Sequence, residues 1–136
     1  MSKRVLVVDD EQDMVDLLGY NLRSRGYEVI VALNGLEAIH KARICTPDLV
    51  LLDLMMAGMD GFTVCEILRH HPSTARVPVI MVTALAGEMV RLNGLDSGAD
   101  DFITKPFSPV QLMERVDRLL ATHGSQPRRP ADGNWW

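Results

Sequence analysis

Unbroken apolar runs alternate five times with segments of helical periodicity along this chain. Val5-Leu6-Val7-Val8, Leu49-Val50-Leu51-Leu52 and Val79-Ile80-Met81-Val82 read as strands buried on both faces, because neither side of the pleat carries a polar residue. Two weaker runs complete the set. The predicted strands are Arg4–Val8, Glu28–Ala32, Leu49–Leu52, Pro78–Val82 and Asp101–Thr104. Between them, apolar residues recur at helical spacing. Met14, Leu17, Leu18 and Leu22 form one stripe, and Leu36, Ile39, Ala42 and Ile44 a second. Val64, Ile67 and Leu68 form a third, and Val110, Met113, Val116 and Leu120 the last. Glu88–Ser97 has the faintest helical pattern.

Turn and cap residues fall where these elements need them. Asn34 with Glu37, and Ser108 with Gln111, have capping-box spacing, and Pro109 suits a first helical position. Gly26 and Gly98 stand as helix stops. Repeated strand–helix alternation implies a parallel sheet with right-handed crossovers and helices on both faces. The first, third and fourth strands are the most continuously apolar and belong at its centre. The second and fifth are shorter or flanked by charge and belong at its edges.

With 136 residues, 47% of them apolar, the chain is long enough for one domain with a single core. A net charge of -4 weighs against nucleic-acid binding, and Arg128-Arg129 is too small a basic cluster to track phosphates. No apolar stretch is long enough to cross a bilayer, and four apolar residues after Met1-Ser2-Lys3-Arg4 are too few for a signal peptide, so a cytosolic chain is expected. Cys45 and Cys65 lack metal-ligand spacing and read as reduced, packed thiols. His40, His70, His71 and His123 carry no catalytic or metal pattern; His70-His71 suits the end of a helix.

What changes the picture is the polar residues that close the apolar runs. Asp9 and Asp10 end the first, Asp53 the third strand and Thr83 the fourth, while Lys105 follows Phe102-Ile103 in the fifth. The C-terminal ends of parallel strands form the edge where open α/β sheets bind ligands. Two carboxylates about 5 Å apart repel by about 3 kcal/mol at an effective dielectric near 20. A cluster of three therefore calls for a cation, and oxygen ligands with retained water suit Mg²⁺. Lys105 would neutralise one charge in the metal-free state. Asp53 stands alone on the central strand and is the candidate nucleophile for aspartyl-phosphate chemistry, which asks for positioning and charge neutralisation. Plainer readings exist for single residues. Asp9 and Asp10 suit the N-terminus of the following helix, Thr83 could be an ordinary strand residue, and Phe102 plain core. Asp53 has no comfortable plain reading, because a carboxylate after four apolar residues needs a partner.

Five segments together resemble the receiver domain of two-component response regulators, from about Lys3 to Thr122. They are Val5-Leu6-Val7-Val8-Asp9-Asp10-Glu11, Leu51-Leu52-Asp53-Leu54-Met55-Met56, Gly58-Met59-Asp60-Gly61, Val82-Thr83-Ala84, and Gly98 through Asp101-Phe102-Ile103-Thr104-Lys105-Pro106-Phe107. The resemblance implies a flavodoxin-like, doubly wound (βα)5 fold with a five-stranded parallel sheet of order 2-1-3-4-5. It implies Asp53 as phosphoacceptor, Asp10 as a direct Mg²⁺ ligand, Asp9 as a ligand mainly through water, and the backbone carbonyl of Met55 as a further ligand. Lys105 would contact the phosphoryl group, Thr83 would be the switch hydroxyl, and Phe102 the aromatic that repacks with it. Lys105-Pro106 would be a cis peptide bond. The implied partners are a histidine kinase or histidine phosphotransfer protein and a downstream effector.

Departures from the family pattern sharpen these expectations. Ala57 replaces a common proline four residues after the acceptor, which loosens the loop and removes no ligand. Met55 and Leu85 are apolar at positions flanking the acyl phosphate and are expected to hinder attacking water. A dimer through the fourth helix, fifth strand and fifth helix is possible but weakened. Asp101 and Arg115 match its charge pairs, while Gln111 stands where an acid would meet Arg91 and Asp117 where a base is usual. Two other classes compete. A phosphohydrolase with an aspartyl-phosphate intermediate would want a second acid where Met55 stands, and a capping insertion. A flavin-binding module would want a Ser/Thr/Gly-rich loop after the first strand, where Asp10-Glu11-Gln12-Asp13 would repel phosphate. The expected organisation is a receiver domain over 1–123 and a flexible tail over 124–136 closed by Trp135 and Trp136, either standing alone or N-terminal to something longer.

Overall fold

The strands pair in parallel in the order β2-β1-β3-β4-β5, with β1 at Arg4–Val8, β2 at Glu28–Ala32, β3 at Leu49–Asp53, β4 at Val79–Thr83 and β5 at Asp101–Thr104. This is a computed structural model, and it describes residues 2–84 and 87–123. Leu85, the side chains of Arg91 and His123, and the tail 124–136 with Trp135 and Trp136 lie outside the described residues. The helices are α1 at Gln12–Ser24, α2 at Gly35–Cys45, α3 at Gly61–His70, α4 at Glu88–Asp96 and α5 at Pro109–His123. Among the described residues no helix is long and apolar enough to cross a membrane.

Strand alternation sorts the core into two layers. Val5, Val7, Leu49, Leu51, Ile80, Val82 and Ile103 meet the buried faces of α1 and α5. Leu6, Val8, Val50, Leu52, Val79, Met81 and Phe102 meet α2, α3 and α4. Every residue of β3 and β4 is buried, whereas β2 and β5 are partly open, which places the continuously apolar strands at the centre as their sequences require.

Two strands differ in their boundaries from the sequence expectation. β3 runs on to Asp53, and β4 is shifted by one to end at Thr83, because Asp53 pairs with Val82 and Thr83 with Thr104 in the ladder. Pro78 has no N–H to give and serves only as an acceptor, taking a hydrogen bond from Val50 N. Several helix stripes also differ. Leu36, Ile44 and Val110 are strongly exposed and Leu17 partly so, while Gly35, Ala38, Val15, Cys65 and Leu112 take the buried positions. A helix lying flat on a sheet buries small residues at its closest approach and pushes larger ones to its flanks.

The caps agree with the sequence. Asn34 accepts from Glu37 N at 2.8 Å, while Glu37 reaches back to Leu33 N at 2.6 Å. Ser108 accepts from Gln111 N at 3.3 Å. Gly26 and Gly98 adopt φ of 88° and 105°, the left-handed conformation that ends α1 and α4.

Candidate functional site

Three aspartates reach the C-terminal edge of the sheet from adjacent strands. Asp9 and Asp10 follow β1, and Asp53 ends its neighbour β3. One carboxylate oxygen from each lies within 4.8 Å of the others. Asp9 and Asp53 are buried and Asp10 is exposed. Alternation puts Asp9 and Asp53 on the same face as Val7 and Leu51. Lys105, just past β5, brings its ammonium group to 3.3 Å from Asp9 Oδ2 and 3.5 Å from Asp53 Oδ1. The Lys105–Pro106 peptide is cis, and Lys105 N donates to Thr83 O at 2.6 Å.

The electrostatics follow from this crowding. Burial pushes the Asp53 carboxyl up to about 6, and the charge of Asp9 adds to the push. The Lys105 ammonium and the backbone N–H of Met55 oppose it without cancelling it. Burial works to lower the pKa of Lys105, but the carboxylates of Asp53 and Asp9 outweigh it and the net shift is upward. The site thus holds more negative charge than its lysine can balance, in a place where water is largely excluded.

Tight backbone approaches fix the loops around the acids. The α3 start lies so close to the β3 end that a side chain at Gly61 would sit 2.8 Å from Asp53 O and 2.8 Å from Leu54 Cα. Gly61 N donates to Leu54 O at 3.0 Å, and Gly58 takes a φ of 82° in the intervening turn. Asp60 then caps α3 by accepting from Thr63 N at 2.9 Å. Asp9 Oδ1 accepts from Glu11 N at 2.9 Å, and Asp10 Oδ2 from Ala57 N at 3.4 Å. Met55 is exposed beside Asp53.

Thr83 and Phe102 share the opposite face of the sheet with Met81, by alternation and register. Thr83 is fully buried and Phe102 nearly so. The structure therefore brings Asp9, Asp10, Asp53 and Lys105 into one cluster, with Thr83 at the next strand end and Phe102 behind it. Asp101 and Arg115, considered for charge pairs between subunits, meet within the chain at 3.1 Å. Asp117 is likewise engaged within the chain by Arg25 and by the Tyr27 hydroxyl.

Sequence reasoning missed how Asp53 is held. The Met55 N–H supports its carboxylate alongside the Lys105 ammonium, and Gly61 presses against its carbonyl. The spacing of Asp60-Gly61 before Phe62 and Val64 was the available signal, a helix cap followed by a residue with no room for a side chain.

The donor set suits a hard divalent cation. It offers carboxylate oxygens only, one of them exposed so that bound water can remain, and its buried carboxyl is held far above its ordinary pKa by uncompensated burial and charge. Asp9, Asp10 and Asp53 could hold such a cation there.

Comparison with known proteins agrees with this geometry. The response regulator receiver domain profile matches residues 5–117. The chain is 50% identical over 119 residues to the response regulator PleD of Caulobacter vibrioides, covering 88% of this chain and 26% of PleD. It is 47% identical over 120 residues to the alkaline phosphatase synthesis transcriptional regulatory protein PhoP of Bacillus subtilis, covering 88% of this chain and 49% of PhoP. It thus spans between a quarter and a half of the length of these curated relatives. Among solved structures, a CheY-like receiver domain protein from Methanospirillum hungatei superposes with a TM-score of 0.86 at 30% identity, covering 93% of this chain and 100% of that one. A Francisella response regulator receiver domain superposes with a TM-score of 0.82 at 33% identity, covering 88% and 98%. The chain belongs to the response regulator receiver domain family.

Proposed function

We propose that this domain is a phosphorylation-controlled switch in which Asp53 accepts a phosphoryl group from a phosphohistidine on a histidine kinase or histidine phosphotransfer protein. The observation that carries this is the convergence of Asp9, Asp10 and Asp53 within 4.8 Å, with the Lys105 ammonium 3.5 Å from Asp53. A carboxylate oxygen of Asp53 attacks phosphorus, an O–P bond forms, the N–P bond of the donor breaks, and the imidazole leaves. Hydrolysis removes the phosphoryl group: water attacks phosphorus, the O–P bond to Asp53 breaks, and inorganic phosphate and the free carboxylate result. Asp9, Asp10 and Asp53, with the Met55 carbonyl, would hold Mg²⁺, which would supply neutralisation of the phosphoryl oxygens. Lys105 exchanges its ion pair with Asp53 for one with the phosphoryl group. The domain catalyses only its own phosphorylation and dephosphorylation, acts in the cytoplasm, and reports to a downstream effector.

Thr83 and Phe102 are proposed to read the phosphoryl group. A hydroxyl bonded to a charged group contributes about 1.5–3 kcal/mol. Moving an equilibrium from 1:99 to 99:1 takes about 5.5 kcal/mol. Thr83 therefore needs Lys105, the metal and Phe102 repacking to complete the shift. Thr83→Ala is expected to accept phosphate and to signal weakly.

The test is incubation with Mg²⁺ and a small acyl-phosphate donor, read by intact mass. The wild-type chain gains one phosphoryl group and Asp53→Asn gains none. Uptake by Asp53→Asn, or none by wild type, contradicts the proposal.

A further inference from the structure

Gly35 opens α2, and its φ is not left-handed, so the backbone there suits any residue. What it lacks is room. A methyl group at Gly35 would lie 2.9 Å from Val64 Cγ2, 3.0 Å from Met59 Cβ and 3.3 Å from Met59 Cγ. The start of α2 therefore rests bare backbone on α3 and on the loop before it. Asn34 and Glu37 fix that start in place through their reciprocal bonds to Glu37 N and Leu33 N.

The loop that Gly35 touches runs from Met55 to Asp60, and it grips the acids through its backbone. Met55 N–H supports the Asp53 carboxylate, and Ala57 N–H donates to Asp10 Oδ2 at 3.4 Å. A proline at position 57 would have no N–H to give Asp10. The ends of the loop are clasped by Gly61 N, which donates to Leu54 O at 3.0 Å. Between those ends, Met56 is buried and Met59 partly so in the core layer shared with α2 and α3, while Met55 is exposed. Methionine is unbranched and adaptable, so such an anchor needs a firm surface to hold it. The bare start of α2 is part of that surface.

From this arrangement we infer that Gly35 is a positioning residue for the acid cluster: it lets α2 seat Met59, and the seated loop holds the Met55 and Ala57 N–H groups on Asp53 and Asp10. The inference rests on the proposed Mg²⁺ site and adds what sets the placement of its ligands. A side chain at position 35 pushes on Met59. The loop shifts as a unit because its ends are clasped, and the two N–H groups leave their carboxylates.

The test pairs Mg²⁺ titration calorimetry with amide exchange on the full chain. Losing a group that orients metal ligands typically costs about 10–100-fold in affinity. Gly35→Ala is expected to weaken Mg²⁺ binding by about tenfold or more. In a chelator it should also speed exchange severalfold at Met55 and Ala57, while Gly61, whose clasp stays closed, is unaffected. Val64→Ala empties space in the same layer without pushing on Met59. It should lower the folding equilibrium constant about tenfold or more and leave Mg²⁺ affinity unchanged. Met59→Gly should weaken Mg²⁺ binding by itself, which keeps the measurement available if Gly35→Ala does not fold. Adding Gly35→Ala to Met59→Gly should cost nothing further in affinity. Unchanged affinity in Gly35→Ala or Met59→Gly, an equal loss in Val64→Ala, or a full second loss in the double variant overturns the inference. If wild type binds no Mg²⁺, the proposed metal site fails, and exchange at Met55 and Ala57 still decides whether Gly35 seats the loop: rates unchanged by Gly35→Ala would show that it does not.

Discussion

At the N-terminal edge of the sheet, the Arg69 guanidinium meets one carboxylate, Asp100, at 3.0 Å and the carbonyls of Gly98 and Val77 at 2.9 and 2.6 Å. At the C-terminal edge, Lys105 meets two buried carboxylates, and a third stands within 4.8 Å of them. Both clusters join distant segments of the chain through partly buried ions. They differ in balance. Below, among the described contacts, one positive charge faces one negative charge, and other guanidinium hydrogens find carbonyl oxygens. Above, carboxylates outnumber the ammonium group, and Asp53 titrates near 6 because burial and Asp9 outweigh its supports. Matched ions close to strand starts hold the fold, whereas a surplus of one sign at strand ends is a receptor for the opposite charge.

Breaking the balanced cluster should have the largest effect. Arg69→Met leaves Asp100 without its guanidinium at a site where its side chain is only 18% exposed. Removing one partner of a buried pair destabilises by about 3–5 kcal/mol. Urea unfolding in the absence of Mg²⁺ should show a loss of that size.

The unbalanced cluster should respond in the opposite direction. In the metal-free domain, Asp53→Asn is expected to stabilise by an amount on the order of 3 kcal/mol above about pH 7, given the rise from 3.8 to about 6. The sign follows from proton uptake. As pH falls through about 6, the folded state binds a proton before the unfolded state does, so the wild type recovers stability down to the ordinary value of 3.8. The advantage of asparagine should therefore be full in mild alkali, shrink as pH falls, and vanish below that ordinary value. Denaturant midpoints measured with a chelator across this range provide the check. A constant advantage at every pH would mean that packing, not charge, sets it.

How much of this contrast was legible in the sequence follows from the residues involved. The unbalanced edge was readable because Asp9, Asp10, Asp53, Thr83 and Lys105 each close an apolar run, and parallel pairing brings strand ends together. The order of the strands was readable in part, since uninterrupted apolar runs mark central strands. The balanced edge was not readable. Arg69 lies in a helix and Asp100 in a turn, separated by 31 positions, and no local pattern distinguishes them from solvated charges. Nor did periodicity show that Leu36, Ile44 and Val110 face solvent, because apolar spacing does not reveal how closely a helix approaches its sheet.

Magnesium should stabilise one edge and leave the other alone. A ligand present at about 100 times its dissociation constant contributes about 2.7 kcal/mol. Wild type and Arg69→Met should gain alike on addition of Mg²⁺, while Asp53→Asn gains much less. A smaller gain in Arg69→Met than in wild type would show that the two edges are coupled.

The sharpest separation of charge from packing comes from Asp10→Asn, whose effect on the metal-free domain should be the smallest. Asp10 is exposed, and its carboxylate accepts only a long 3.4 Å hydrogen bond from Ala57 N among the described contacts. Exposed substitutions of this kind usually change stability by less than about 0.5 kcal/mol. Yet Asp10 is the donor that opens the cluster to solvent, where a hydrated cation would enter. Asp10→Asn should therefore melt with the wild type in a chelator and fall behind it progressively as Mg²⁺ is titrated in. Melting temperature against Mg²⁺ concentration for the two chains reads this directly. Parallel curves would mean that Asp9 and Asp53 suffice to hold the ion, and that the exposed carboxylate contributes charge without coordination.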